Sequence, residues 1–491
     1  MPVDKIAHQD KAAISLKIVI IGGSVAGLAT AYALRRAGHD VRVIEKSNGK
    51  SIALGGLQSP PNMTRILYRW GLQPLLDRVA HKCKTMVFRK GSSGDLIGAI
   101  NFDKDFLLDL VADFLLIQDQ ELKDLLVQLA ADEGVQISYS TAVTSVHTSP
   151  ELATVNLDNG EELTADFIVC ADGFDSAFRP LVTSADMDDG KEKKKHLALT
   201  YILPVDVINQ DDELRPLMDP SLWLLWIGSG YIFHANFING GKDLSATLTL
   251  DWYRDIKPGD EEWSDRPLAS YELDFSGIEP RVQKLLNLTT NVTGRAFVSR
   301  EASEDLVCEN SKLVLVGDAA HPMLPGGNHH TAMIFEDAET LRCLFSRIRS
   351  KSQISHFLTA YEEIRQPRAQ FVMEYDYGFH AMMKLPDGEY QDQRNESLSQ
   401  SMVHGDWDHM DEATFRSVWG IELEIYTHDA MDKVEDWWTQ WGSMISRKRL
   451  GAGPDDKRHL AEDITRTPSP QVNASIPGLH RVSVHQILPS V

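Results

Sequence analysis

The hydrophobic pattern is clearest near the N-terminus of the chain. Lys17–Ile21 (KIVII) is a short β-branched run, typical of a strand that is buried on both faces. Residues 25–37 follow with helical periodicity, and residues 41–45 (VRVIE) form a second strand-like run. Strand, turn, helix and strand together occupy about 30 residues, which is the size of one βαβ unit. The pattern therefore predicts an α/β domain with a parallel sheet.

Later segments of the chain have other periodicities. The elements predicted there are an amphipathic helix at 119–133, short buried strands at 166–170 and 313–316, β-like segments at 197–203 and 231–237, and helices from 335 to about 383. The β-like segments lie between the two buried strands, so they indicate a separate sheet inserted into the first domain. Residues 451–491 are rich in Pro, Ser and Gly without a clear period, which favours a flexible tail.

Composition and charge narrow the classes of function. The chain has 491 residues and is 43% apolar, so a globular protein with about two or three lobes is expected. Its net charge of −22 opposes binding to the phosphates of nucleic acid. The longest uncharged stretch, 18–34, contains three glycines and is shorter than the roughly 20 residues that a membrane span needs. No membrane span is predicted.

The cysteines indicate the compartment. No two of the four form a CxxC motif, and no short pattern joins them to histidine, so neither a metal site nor a disulfide framework is predicted. A reducing compartment, the cytoplasm, is expected. The four residues are Cys83, Cys170, Cys308 and Cys343.

A glycine-rich turn lies between the first predicted strand and helix. Residues 22–27 read GGSVAG, a variant of the GxGxxG fingerprint in which Ser24 takes the second glycine position. Gly22 permits the tight turn, the small Ser24 lets the backbone approach a pyrophosphate, and Gly27 allows close packing of helix on strand. The helix N-terminus then binds the phosphates with its free N–H groups and its dipole.

Glu45 ends the second predicted strand, 18 residues after Gly27. A carboxylate at this place accepts hydrogen bonds from the ribose hydroxyls of an adenosine and repels a 2′-phosphate. The two features together predict a site for FAD or NAD and argue against NADP.

A second cluster, far downstream, favours FAD. Residues 313–318 (LVLVGD) form a buried strand that ends in Gly317 and Asp318, followed by a turn into a helix. A carboxylate at this strand end can bind the ribityl chain of a flavin, and a helix N-terminus can face the electron-rich edge of its ring. Taken alone, Asp318 could equally cap a helix.

These motifs and four others resemble one family. The sequence GDAAHP at 317–322, with Pro325 and then Glu336-Asp337, is similar to the flavin motif of FAD-dependent single-component (group A) aromatic hydroxylases. Four further stretches resemble the fungal salicylate-hydroxylase-like branch of that family: 58–65 (QSPPNMTR) with 70–72 (WGL), 171–173 (ADG) leading to Arg179, 361–368 (YEEIRQPR), and 385–388 (LPDG) with Gln391 and Arg394. The matches extend over residues 17–395.

The resemblance implies a fold and a mechanism. NADH or NADPH would reduce FAD, O₂ would add to the flavin as a C4a-hydroperoxide, and one oxygen atom would pass to the substrate. The implied fold is a glutathione-reductase-like, Rossmann-type FAD domain with an inserted, mostly β substrate domain and C-terminal helices. The expected divisions are an N-terminal tail at 1–14, the FAD domain at 15–189 and again at 296–345, the substrate domain at 190–295, a helical region at 346–450 and the tail at 451–491.

The resemblance and the motifs together define candidate sites. The flavin is expected to contact Gly22, Ser24, Gly27, Glu45, Gly56, Asp119, Asp172, Gly173, Gly317, Asp318 and Thr331. The candidates for the catalytic pocket are His234, Asn236, Pro325, His329 and His330. None of these five is assigned as the acid or the base.

Two departures from the family concern the flavin. An arginine is common where this chain has Asp119, so a cation that contacts flavin would be replaced by an anion, with Gln118 as a possible substitute. A Gln-Gly pair is common where this chain has His329 and His330. The two histidines are interpreted either as a proton donor or substrate contact beside the flavin, or as a solvent-facing pair on a loop.

Two other departures concern the substrate. The family's Ala-Tyr-Arg pattern is Ala198-Leu199-Thr200 here, and its Tyr-Pro pair is Asn236-Phe237. An anionic phenolic acid such as salicylate therefore loses its usual clamp. His234 and Asn236 alternate onto one strand face and could both point into the pocket, although a hydrogen-bonded structural histidine is the commoner case. The aromatic residues Trp223, Trp226, Tyr231 and Phe233 could line that pocket or pack in a core.

Several functions stay open at this point. The first is hydroxylation of a phenolic or other aromatic compound, with or without loss of a carboxylate. The second is epoxidation or oxidation of a larger prenylated or terpenoid metabolite, and the third is a flavin-binding relative without catalysis. A flavin halogenase is disfavoured because Trp223 and Trp226 have the wrong spacing, and a plain NAD dehydrogenase would not need the Gly317-Asp318 cluster. The expected partners are a small apolar or aromatic substrate and O₂.

Overall fold

The computed structural model describes residues 11–50, 55–102, 110, 112–183, 193–257, 259–325, 327, 329–403 and 412–442. The predicted flexible tail at 451–491 and most of the predicted N-terminal tail lie outside these residues. In the described part of the chain, no helix is both long and apolar enough to cross a membrane. The same residues contain no group of three or more side chains suited to hold a metal ion.

The strands within the described residues are β1 (Lys17–Ile21), β2 (Asp40–Ile44), β3 (Gly56–Ser59), β4 (His81–Lys82), β5 (Thr85–Lys90), β6 (Leu96–Asn101), β7 (Leu115–Gln118), β8 (Gln136–Ser138), β9 (Val143–Thr148), β10 (Ala153–Leu157), β11 (Glu162–Ala165), β12 (Phe167–Cys170), β13 (Lys195–Pro204), β14 (Leu222–Gly228), β15 (Tyr231–Ile238), β16 (Asp243–Asp251), β17 (Ser264–Pro267), β18 (Asn291–Val298) and β19 (Leu313–Leu315).

The helices within the described residues are α1 (Val25–Arg36), α2 (Pro61–Arg69), α3 (Gln73–Val79), α4 (Asp119–Asp132), α5 (Val205–Ile208), α6 (Pro280–Asn287), α7 (His330–Phe345), α8 (Ile354–Met383), α9 (Glu389–Val403), α10 (Glu412–Thr427) and α11 (Ala430–Trp437).

A parallel sheet forms the centre of the first domain. Its five strands have the order β19-β12-β1-β2-β8, and all of their pairings are parallel. The four apolar residues of β1 are buried, as expected for a strand that is covered on both faces. Helix α1 packs against both α4 and α7. The carboxyl ends of β1, β2, β12 and β19 therefore meet at one edge of the sheet, where a doubly wound fold binds its ligand.

A larger sheet lies beside the first domain. Its eight strands have the order β17-β18-β13-β16-β15-β14-β5-β6. Most pairings are antiparallel, but β5 pairs with β14 in parallel. Strands β5 and β6 precede residue 190 in the chain, so the sheet includes more than the stretch expected for the substrate domain. This pairing joins residues more than 100 positions apart, and a local hydrophobic pattern cannot reveal it. The predicted domain boundaries stay predictions.

Helix α7 is a central helix against which several other elements pack. All of its residues from Ala332 to Phe345 are buried, although they include Glu336, Asp337 and Glu339. The helix begins at His330, whereas the sequence pattern predicted a turn into a helix soon after Asp318. Only a short 3-10 turn, Gly317–Ala319, follows β19 directly. The remaining predicted elements agree with the structure to within a few residues.

Candidate active site

The glycine turn after β1 has the geometry of a phosphate site. Gly22 has a φ of +103°, and a side chain there would collide with the carbonyl oxygen of Ala171. A side chain at Gly27 would collide with the carbonyl oxygen of Gly22. The Oγ of Ser24 donates to the carbonyl oxygen of Ala171 at 3.2 Å instead of capping α1. The N-terminus of α1 thus has no side-chain cap, which suits an anion site.

Glu45 follows β2 and faces the same turn. Its Oε2 accepts a hydrogen bond from the N–H of Gly23 at 2.5 Å, and its Oε1 accepts one from the N–H of Ser47 at 2.6 Å. These bonds hold the carboxylate beside the glycine turn. The location agrees with the expected contact to an adenosine ribose, and the contact itself stays a prediction.

Asp172 and Gly173 follow β12 at the same edge of the sheet. The Oδ2 of Asp172 accepts from the N–H of Ala177 at 2.9 Å. Its Oδ1 is buried and has no hydrogen-bond partner among the described residues. Gly173 has a φ of +93° and so turns the chain after the strand. A buried carboxylate oxygen without a donor is a candidate contact for a bound ligand.

Main-chain contacts fix the Gly-Asp turn after β19. Arg179 donates from Nε to the carbonyl oxygen of Ala319 at 2.8 Å and from Nη2 to that of Asp318 at 2.9 Å. The N–H of Gly317 donates to Oδ2 of Asp337 at 2.8 Å. The backbone of the turn is therefore fixed by Arg179 and by Asp337. These contacts do not use the side chain of Asp318, which remains available for other partners.

Behind this turn lies a group of buried charges that we call the buried ion network. Arg365 donates to Oδ1 of Asp337 at 2.7 Å and to Oε2 of Glu336 at 2.5 Å. Arg368 donates to both oxygens of Glu336, and Nε2 of His321 lies 2.7 Å from Oδ2 of Asp337. All five side chains are buried. The network joins α7, α8 and the Gly-Asp turn, so three of the family-like motifs meet in space.

Asp318 and His330 form an ion pair at the edge of the site. Nε2 of His330 lies 2.6 Å from Oδ1 of Asp318, and the two side chains are 31% and 25% exposed. Burial disfavours the charged form of both groups, but the opposite charge of the partner has the larger effect. The pKa of His330 is therefore raised and the pKa of Asp318 is lowered. His330 therefore lies beside the Gly-Asp turn, and its role as a proton donor or substrate contact beside the flavin stays a prediction.

Asp119 lies at the start of α4, close to this pair. Burial raises the pKa of Asp119, while Lys123 and His330 act in the opposite direction. The N–H of Asp119 donates to the carbonyl oxygen of Gly55 at 3.0 Å. Lys123 on α4 and His330 on α7 thus provide positive charge near this carboxylate. Gln118 makes no cap bond to α4.

His329 is buried beside helix α8. Its side chain is 1% exposed, and its Nδ1 lies 2.7 Å from Oδ1 of Asp376. The rings of Tyr375 and Tyr426 pack on it, with centroids 5.5 and 5.7 Å away. The interpretation of His329 as half of a solvent-facing pair is therefore wrong, because the loop before α7 turns this side chain inward.

His234 and Asn236 lie on one face of the large sheet, as predicted from their alternation. Both side chains are buried, and neither ring nitrogen of His234 has a hydrogen-bond partner. Burial lowers the pKa of His234 to about 4. The expectation that His234 is a hydrogen-bonded structural histidine is therefore wrong, because neither of its ring nitrogens has a partner among the described residues. The Oδ1 of Asn236 also lacks a partner, and its amide lies against Gly56 in β3.

The aromatic residues of β14 and β15 divide between the two faces of the large sheet. Trp226 and Phe233 pack together in the core on one face, with ring centroids 5.6 Å apart. Tyr231 is partly buried against the same core. Trp223 lies on the other face, with its ring centroid 6.1 Å from that of His234, and its Nε1 has no hydrogen-bond partner in the described part of the chain. Only Trp223 of these four residues faces the pocket candidates.

The other predicted residues lie nearby. The N–H of Gly56 donates to Oγ of Ser245 at 2.7 Å, which joins β3 to the large sheet. Pro325 is half-buried in the loop that leads to His329, and Thr331 is half-buried in the first turn of α7. The structure therefore joins Gly56 to the large sheet, whereas the predicted contacts of Pro325 and Thr331 stay predictions.

Asp376 and His380 were missed by the sequence analysis. Both are buried, four residues apart on one side of α8. Burial lowers the pKa of His380 to about 3, and its ring lies within electrostatic reach of Asp376 and His234. Two ionisable residues at positions i and i+4, on the helix side that also carries the apolar Val372, Met373 and Met383, are the signal that could have found them. We call His234, His329, Asp376 and His380 the pocket cluster.

A parallel sheet with a glycine turn after β1, an acidic residue after β2 and a Gly-Asp turn after β19 defines a dinucleotide-binding flavoprotein. The family described as "FAD binding domain" matches residues 15–376. The chain belongs to this family, and FAD is its cofactor. The α/β fold and the resemblance to FAD-dependent aromatic hydroxylases are confirmed.

Similar proteins extend over most of the chain. It is 27% identical over 389 residues to the FAD-dependent monooxygenase OpS4 of Beauveria bassiana, covering 78% of this chain and 89% of that one. It is 28% identical to hispidin-3-hydroxylase of Neonothopanus nambi, covering 74% and 88% of the two chains. A solved salicylate hydroxylase substrate complex shares the fold, with a TM-score of 0.67 and 20% identity over 86% of this chain and 97% of the other.

The residues present fit FAD. The uncapped N-terminus of α1 suits its pyrophosphate, Glu45 suits a ribose, and the unpaired Oδ1 of Asp172 is a free acceptor at the same sheet edge. Asp318 lies at the end of β19, where its carboxylate can accept from hydroxyl groups. Because His330 occupies one oxygen of Asp318, we expect the cofactor to share this carboxylate with the imidazole.

Proposed function

We propose that this protein is an FAD-dependent monooxygenase that uses NADH or NADPH and O₂ to hydroxylate an aromatic or phenolic metabolite. The names of its relatives support the aromatic class of substrate, since hispidin-3-hydroxylase and a salicylate hydroxylase are among them. When bound, FAD supplies the electrophilic oxygen, and the protein has to position the ring, exclude water and move protons.

One observation carries the proposal: a chain of interactions links the Gly-Asp turn to the face of the large sheet that carries His234 and Asn236. His330 bonds to Asp318 and acts on Asp119, whose N–H donates to Gly55. The adjacent Gly56 donates to Ser245 of the large sheet and touches Asn236. A substrate on that face would therefore lie next to the Gly-Asp turn, within reach of a flavin bound there.

A second candidate function has its own support. Thr200 and Asn236 stand where the family commonly has an arginine and a tyrosine, and apolar residues such as Met323 and Met333 pack on the same side of the large sheet. Epoxidation or oxidation of a larger prenylated or terpenoid compound needs no anion clamp. The four cysteines are free and buried, which supports a location in the cytoplasm for either function.

The test is oxygen insertion. The purified protein, reconstituted with FAD, would be supplied with NADH or NADPH and heavy-isotope O₂ in the presence of phenols, aryl acids and prenylated aromatics. We expect one heavy oxygen atom in a hydroxylated aromatic product. Label only in an epoxide would favour the second candidate. Hydrogen peroxide with every compound, and no labelled product, would contradict both.

A further inference from the structure

The pocket cluster contains more unpaired polar atoms than a packed core tolerates. Nε2 of His329, Oδ2 of Asp376 and both ring nitrogens of His234 and His380 are buried without a hydrogen-bond partner among the described residues. Leaving a buried polar group unpaired costs about 1–3 kcal/mol each. The side chains that carry these six atoms are neighbours, since His329 bonds to Asp376 and His380 interacts electrostatically with Asp376 and His234. Together they indicate a place where a polar ligand supplies the missing bonds.

The bond between His329 and Asp376 determines which nitrogen is reactive. A carboxylate accepts hydrogen bonds, so Oδ1 of Asp376 takes the hydrogen of Nδ1 at 2.7 Å. The lone pair of the neutral imidazole is then on Nε2, for which the described part of the chain offers no hydrogen-bond partner. If Nε2 takes up a proton, the adjacent carboxylate stabilises the imidazolium. This arrangement is that of an oriented general base.

The cations near the cluster are already paired. Lys384 lies 2.5 Å from Asp251, His330 lies 2.6 Å from Asp318, and Arg295 lies 2.5 Å from Asp175. A substrate carboxylate would therefore have no free cation among these groups. A neutral hydroxyl group can instead donate to His329 and accept from another imidazole. The ionisable groups around His329 are Asp376 and His380 on α8, His330 on α7, His234 on β15, and the tyrosines Tyr375 and Tyr426.

We propose that His329, held by Asp376, is the base that deprotonates a neutral phenol bound in the pocket cluster. The O–H bond of the phenol breaks, its proton passes to Nε2 of His329, and the electron pair stays on the phenolate oxygen. The phenolate ring is richer in electrons and so reacts more readily with an electrophilic oxygen. This inference rests on the proposed hydroxylation. It names the substrate class as phenols without an acidic group. The role that it assigns to His329 does not depend on FAD chemistry.

The test is the ionisation of a bound phenol, measured without turnover. The FAD-loaded protein would be titrated with 4-nitrophenol, which turns yellow when it ionises, at a pH below the pKa of the free compound. We expect the wild-type protein to shift the bound probe toward the phenolate. His329→Gln and Asp376→Asn should each lower its ionisation constant about tenfold or more, a shift of about one pKa unit.

The control variant is His39→Gln. His39 is a buried histidine that is distant in the sequence from the pocket cluster. Its Nδ1 accepts a hydrogen bond from the N–H of Leu16, and its Nε2 lies 3.2 Å from the carbonyl oxygen of Phe345. The His39→Gln variant should leave the ionisation of the probe unchanged. The FAD content of each variant, read from its visible spectrum, shows whether the fold is retained. If His329→Gln fails to fold, Asp376→Asn decides the question alone.

The outcomes separate this inference from the proposed function. Equal ionisation of 4-nitrophenol by wild type and both variants would overturn the role of His329, as would a wild type that binds the probe without ionising it or does not bind it. In each case hydroxylation of some other substrate could still be observed. Conversely, ionisation that depends on His329 in a protein that inserts no oxygen would refute the hydroxylation and leave the base in place.

Discussion

The buried ion network and the pocket cluster both include residues of helix α8, yet they differ in how their polar groups are paired. In the network, all four carboxylate oxygens of Glu336 and Asp337 accept hydrogen bonds. In the cluster, one oxygen of Asp376 and both ring nitrogens of His234 and His380 have no hydrogen-bond partner among the described residues. Helix α8 thus contributes Arg365 to a paired set of charges and Asp376 to a set with unpaired polar atoms.

This difference separates residues that stabilise the fold from residues that are available to act on a ligand. A buried charge that is fully paired fixes the elements that carry it, because breaking the pair leaves an uncompensated charge. A buried polar group without a partner stays reactive and is stabilised only by a ligand. We therefore expect variants of the network to lose stability, and variants of the cluster to lose function while the fold persists.

Arg365→Met should have the largest effect. The change leaves Asp337 and Glu336 buried with fewer donors, so we expect a loss of about 3–5 kcal/mol in the free energy of unfolding. Denaturant unfolding followed by circular dichroism measures it. The exposed Arg349→Met is the matched control and should change stability by less than about 0.5 kcal/mol. A loss below about 1 kcal/mol for Arg365→Met would mean that the network does not support the fold.

Gly27→Ala should have an intermediate effect, on cofactor binding. The added methyl group collides with the carbonyl oxygen of Gly22 and displaces the glycine turn. Overpacking of this kind costs about 1–3 kcal/mol, so the dissociation constant for FAD should rise about 10- to 100-fold. Flavin fluorescence titration measures it. Gly420→Ala, in a helix with open space around it, is the control, and an unchanged affinity of Gly27→Ala would contradict the phosphate site.

His330→Gln should have the smallest effect, and it should depend on pH. The pKa of His330 is raised above 6.5, so its contribution to stability is present below pH 6.5 and is lost as the pH rises through the raised value. The pKa of Asp318 is lowered below 3.8, so its contribution is present above pH 3.8 and is lost as the pH falls through the lowered value.

For this partly exposed pair we expect a difference of about 0.5–1 kcal/mol in unfolding free energy between the cofactor-free wild type and His330→Gln near pH 6. The difference should shrink toward about pH 9. Thermal or denaturant unfolding across this range measures it. A difference that stays constant or grows with pH would show that the ion pair does not stabilise the protein.

The first domain was predictable because its signals are local. The apolar run of β1, the glycine turn and Glu45 lie within 30 residues, and each is where the pattern places it. The start of α7 was not predictable, because the loop before it has no helix-breaking proline after residue 325 and no side-chain cap at His329.

The candidate site was less predictable, because its partners come from distant segments. His329 and Asp376 are 47 residues apart, and nothing in either local sequence indicates their bond. The pairing of β5 with β14, which completes the face that carries Trp223, joins even more distant segments. His234 and Asn236 were found because strand alternation is local. Their lack of hydrogen-bond partners among the described residues depends on distant segments that pack against them, such as β3 beside Asn236.

The most direct measurement of the central claim is NAD(P)H consumption by the purified protein. Its visible spectrum would first be recorded to establish bound FAD, and NADH or NADPH would then be added in air with and without phenols. We predict a flavin spectrum and oxidation of NADH or NADPH that a phenol accelerates. A protein that takes up FAD but oxidises neither nucleotide with any phenol, or that takes up no FAD, would contradict the account.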